Sequence, residues 1–92
     1  MVTLEQIELT LRNNKNSFQT KNIDYNCTAI SFLRLKIPYK NCKSIISGAE
    51  HDQLFLCDLD VVYEFLNEND LAILADCNVC YSAEYKCLFL FV

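Results

Sequence analysis

With 92 residues, 52% of them hydrophobic and 12% aromatic, the chain has material for one core in one domain, residues 1–92, which excludes intrinsic disorder. Its net charge of −4 hides a segregation: residues 1–43 carry seven Lys and Arg against three acids (+4), whereas residues 44–92 carry nine acids against Lys86 alone (−8). An acidic half of that size repels phosphates and argues against direct nucleic-acid binding.

Thr3-Leu4-Glu5-Gln6 reads as a capping box, with Val2 and Ile7 placed as its hydrophobic staple. Leu4, Ile7 and Leu11 then repeat at helical spacing, so a helix is expected from Leu4 to Arg12, stopped by Asn13-Asn14-Lys15-Asn16. Ser17 to Asn26 is polar with isolated Phe18, Ile23 and Tyr25 and has room for a short edge strand. Cys27 to Ile37 is ambiguous. Ala29, Ile30, Leu33 and Ile37 suit a helix from Thr28, while Leu33, Leu35 and Ile37 alternate with Arg34 and Lys36 as in a strand. Phe32-Leu33 breaks that alternation, which favours helix through about Leu35, and Pro38 ends either element.

Asn41 to Glu50 fits a short helix with Cys42, Ile45, Ile46 and Ala49 inward and Gly48 near its end. Gln53 to Cys57 is a short apolar run between polar residues, expected as a buried strand. Asp58 or Asp60 can cap a following helix whose core stripe is Val61, Val62, Phe65 and Leu66, leaving Tyr63, Glu64, Asn67 and Glu68 outward. Leu71 to Cys77 and Glu84 to Val92 read as two strands of a hairpin across Asn78 to Ala83. The sum is a small α+β domain, an antiparallel sheet toward the C-terminus packed with three to four short helices.

The candidates for chemistry are few. Cys77-Asn78-Val79-Cys80 is a C-x-x-C, but structural zinc needs four ligands and Cys57, Cys87 and His51 contribute only singly; a redox pair would open a helix. The six cysteines are expected as free, buried thiols. His51 is the sole histidine, and no nucleophile stands with a base, so neither metal, cofactor nor catalytic residue is expected and the chain reads as a non-enzyme. The first residues lack the basic and apolar regions of a signal peptide, and no apolar run is long enough to span a membrane, which suggests a cytoplasmic protein.

What remains is the acidic arc. Glu50, Asp52, Asp58, Asp60, Glu64, Glu68, Asp70, Asp76 and Glu84 follow one another with no Lys or Arg between Ser44 and Tyr85, whereas soluble surfaces normally mix both signs. Carboxylates two apart on a strand lie about 6.6 Å apart and those four apart on a helix about 6 Å. Asp58 with Asp60 and Glu64 with Glu68 would therefore approximate a row of phosphates. Alternatively the acids are only the solvated face of a small structural or assembly subunit.

The compact acidic chain, its nine Asn, six Lys and seven Ile, and the arc Asp58, Asp60, Glu64, Glu68, Asp70 and Asp76 resemble the Arn-type anti-restriction proteins, small DNA-mimic early proteins of T-even bacteriophages. The resemblance implies an inhibitor in the host cytoplasm that copies duplex DNA and blocks a basic DNA-binding host protein such as a restriction nuclease. A net charge of −4 is mild for a DNA mimic, and a homodimer aligning two arcs would compensate. Cys87 to Val92 is apolar on both faces, so it must either lie centrally in the sheet or pair with a second copy.

Overall fold

The computed structural model describes residues 2–12, 23–50 and 52–91. Among these residues, four helices and a four-stranded antiparallel sheet follow in the order α1 (Leu4–Leu11), α2 (Ile23–Lys36), β1 (Gly48–Glu50), β2 (Gln53–Asp58), α3 (Leu59–Phe65), α4 (Glu68–Asp76), β3 (Cys80–Ser82) and β4 (Cys87–Phe91). The expected α+β fold is the observed one.

Helix α1 begins at its capping box: the Thr3 amide donates to Gln6 Oε1 at 2.8 Å and the Gln6 amide to Thr3 Oγ1 at 3.2 Å, while Val2 and Ile7 are both buried. In α2 the buried residues Asn26, Ala29 and Leu33 recur at helical spacing, and Ile37 continues the row just beyond the helix end. Residues 13–22, His51 and Val92 lie outside the described residues, and with them most of the edge strand expected over 17–26; its last part, Ile23 to Asn26, is instead the first turn of α2.

Two further expectations are corrected. Asn41 to Glu50 is not a helix but an irregular segment that ends in β1. Local polar groups compete for its backbone: the Asn41 and Cys42 amides donate to the Pro38 carbonyl, the Ser44 hydroxyl donates to the Ile46 carbonyl at 2.6 Å, and the Ser47 hydroxyl reaches the Leu56 carbonyl at 2.8 Å. Of its apolar residues Ile45 is buried, but Ile46 and Ala49 are exposed. Leu71 to Asp76 belongs to α4, with Cys77 as its C-cap, rather than to a strand, because Asn67 and Asp70 form a second capping box, with bonds of 3.0 and 2.9 Å, that starts a helix burying Leu71 and Leu74. Asn78, at φ 68°, supplies the left-handed residue after that helix, a conformation Asn tolerates. The hairpin therefore pairs β4 with Cys80–Ser82.

The strand order β1-β2-β4-β3 places β4 in the interior of the sheet. Leu88 and Leu90 are fully buried, whereas Phe89 and Phe91 on the opposite face are half-buried. A buried leucine of this kind contributes about 1.5–3 kcal/mol. One face thus belongs to the core with Leu33, Leu56 and Leu74, and the other is an aromatic ledge on which the β3–β4 turn lies.

Candidate functional site

The nine carboxylates of the arc do not form one row. Eight are exposed. Asp70 is not: it is 3% exposed, its carboxylate accepts from the Asn67 amide, and it pairs with the Lys36 ammonium at 3.3 Å. Glu64 and Glu68, expected on one helix, sit on different helices, because the chain leaves helical geometry at Leu66 and Asn67. Asp58 ends β2 while Asp60 lies in α3, so these two are not strand neighbours either; the pair at helical spacing is Asp60 and Glu64. Asp58 occupies the position before α3 without a side-chain capping bond. Glu68 accepts from the Gln6 side chain of α1, and Asp76 ends α4.

Three acids do converge. Glu50 at the end of β1, Asp52 in the β1–β2 turn and Glu84 in the β3–β4 turn line one cleft of about 380 Å³ with Gln53, Tyr85 and Phe91. Antiparallel pairing of Glu50 with Gln53 and of Gln53 with Phe91 brings the first part together. The second part is delivered by the turn over 83–86, held by the Lys86 amide on the Ser82 carbonyl at 2.8 Å and the Tyr85 amide on Ser82 Oγ at 3.2 Å, with Lys86 at φ 54°. The turn folds Tyr85 back over the sheet, its ring 5.0 Å from that of Phe55. The carboxylate of Glu84, and then that of Glu50, pushes the Tyr85 phenol above its ordinary pKa, as negative charges facing a group that ionises to an anion must. Such a cleft suits a guanidinium or ammonium group: carboxylates supply the ion pair and aromatic faces the cation–π contact.

On the other side of Tyr85 a hollow of about 460 Å³ is lined by Cys42, Cys57, Cys87 and Asp58 among others. Burial, followed by the nearby Cys42 and Asp58, pushes the Cys57 thiol up to about 12, and burial with Asp58 raises Cys87. These thiols are protonated at neutral pH and are poor nucleophiles. Among the described residues no three His, Cys, Asp or Glu side chains are grouped to hold a metal ion. Cys77 caps the end of α4 and Cys80 opens β3, both buried, so the C-x-x-C follows a helix rather than starting one.

Sequence reasoning missed Phe55, Tyr85 and Phe91 as neighbours of the acids. Only an aromatic residue inside a turn beside an apolar strand hinted at it. No helix among the described residues is long and apolar enough to cross a membrane. No family model, curated protein or solved structure matches the chain.

Proposed function

We propose that the chain is a non-enzymatic inhibitor of the phage anti-restriction type, which acts in the host cytoplasm by presenting carboxylates to a basic DNA-binding host protein where duplex DNA would present phosphates. The observation that carries this reading is the convergence of Glu50, Asp52 and Glu84 beside the Tyr85 ring from two turns distant in sequence. Exposed Asp58, Asp60, Glu64 and Asp76 add to the negative field of the molecule, which would steer a basic partner. A homodimer that aligns two such surfaces would have to form through an edge strand, β1 or β3, or through a face, since β4 is interior.

The test is capture of a partner from bacterial lysate with and without competing duplex DNA. The expected partner is basic, is displaced by the duplex, and is lost on Glu50→Lys with Glu84→Lys. Retention of a DNA-displaced partner by the double reversal would sink the proposal. The competing reading, an assembly subunit with a solvated acidic face, draws on the burial of Asp70 and the bond of Glu68 to Gln6, and it predicts that the reversal is silent.

A further inference from the structure

The opposite side of the charge segregation has its own surface. Between Asp24 and Glu50 the chain carries Arg34, Lys36, Lys40 and Lys43 and no carboxylate. The same stretch supplies four exposed large apolar residues, Tyr25, Leu35, Tyr39 and Ile46, of which Leu35 is 85% exposed. Leu35 stands on the outer face of α2 between two hollows. The larger, about 620 Å³, runs from Ile30 and Arg34 to Lys43, Ile45 and Ile46; the smaller, about 390 Å³, is lined by Cys27, Thr28, Ser31, Phe32 and Leu35. The floor is held in place, because the Arg34 guanidinium donates to the carbonyls of Ile37 and Cys42 at 2.8 Å and of Lys43 at 3.4 Å and lies over the Tyr39 ring.

We propose that this face of α2, with the segment 43–46, docks an acidic amphipathic helix of another protein. Side chains one turn apart on a helix lie about 5–6 Å from each other, so two of them can pass on either side of a protruding side chain such as that of Leu35. The occupant is acidic because Lys43 and Arg34 border the larger hollow and no carboxylate of residues 25–49 competes for them. A two-fold dimer through this face is disfavoured, because the axis would set the cationic patch against itself. Nucleic acid is disfavoured as well, since the apolar knob and the apolar parts of the hollows have no use in phosphate binding and the acidic half of the chain repels phosphates. The inference does not depend on the DNA-mimic reading, whose residues Glu50, Asp52 and Glu84 line another cleft.

The test uses the full chain and a fluorescent synthetic peptide of about four helical turns, with Leu at i, i+3, i+4 and i+7 and Glu elsewhere, beside a counterpart with Lys for Glu. Anisotropy is expected to show binding of the Glu peptide only, weakened about tenfold or more by either Leu35→Asp or Lys43→Glu and by added salt. Both side chains are exposed, so far-UV circular dichroism should be unchanged; Leu35→Ala serves if Leu35→Asp does not fold. Failure of the Glu peptide to bind, or equal binding to the Leu35 and Lys43 variants, overturns the proposal. So does a dimer by light scattering that Leu35→Asp abolishes, which would assign the face to a second copy. Binding of labelled duplex DNA that Lys43→Glu removes would assign it to nucleic acid and overturn the proposal equally.

Discussion

At Cys57 burial outweighs every other influence on the thiol, with the nearby Cys42 and Asp58 adding to it, and its pKa rises from 9.0 to about 12. The folded state therefore holds this proton more tightly than the unfolded chain does. The stability this confers is fully present below pH 9.0 and is lost as pH rises toward 12, so alkaline unfolding monitored by circular dichroism should start above pH 9 and be shallower in Cys57→Ala. At neutral pH, alkylation followed by mass spectrometry should mark exposed Cys27 first and leave Cys57, Cys77, Cys80 and Cys87 protected. Asp70 teaches a different lesson. Charge in a sequence does not say whether a carboxylate faces water, and Asp70 read as part of the arc although Asn67-Glu68-Asn69-Asp70 has the spacing of a capping box, as Thr3 to Gln6 does. Asp70→Ala removes the cap bond and the partner of Lys36 and should lower stability by about 2 kcal/mol in urea titration, where an exposed member of the arc such as Glu64 should cost less than about 0.5 kcal/mol.

The elements that could be read from the sequence were those in which one local signal pointed one way. Helix α1 had both a capping box and a clean apolar stripe, and β2 was a short apolar run between polar residues. In Leu71 to Cys77 an apolar run of strand length hid a helix whose start lay upstream at Asn67. The segment 41–50 failed for a tertiary reason. Arg34, on the preceding helix, donates to the carbonyls of Ile37, Cys42 and Lys43 and so fastens the end of α2 to a non-helical path. Arg34→Met should destabilise the fold by about 2 kcal/mol and increase hydrogen exchange over residues 38–47, and Arg34→Lys should restore only part of the loss, because an ammonium cannot reproduce the planar fork.

For the molecule as a whole, the segregation of charge was legible from composition, whereas the cleft was not, since it depends on a turn folding back over the sheet. Glu50, Asp52 and Glu84 share one small cleft, and like charges so placed repel. On the proposed reading the cleft is kept for binding at that cost, and relieving it should separate stability from partner capture. Glu84→Lys is expected to raise stability by a few tenths of a kcal/mol and to weaken capture of a basic, DNA-displaced partner about tenfold. Salt should act in the same two directions, stabilising the parent fold while weakening partner binding, because both effects are screened over about 8 Å at physiological ionic strength. The geometry itself has an independent readout. Glu84 and then Glu50 hold the Tyr85 phenol above its ordinary value, so Glu84→Gln should let Tyr85 ionise at lower pH, visible as an earlier tyrosinate absorbance in the difference titration against the parent. A Glu84→Gln titration that superimposes on the parent would mean that the turn does not bring Glu84 to the ring, and the cleft would lose its third carboxylate.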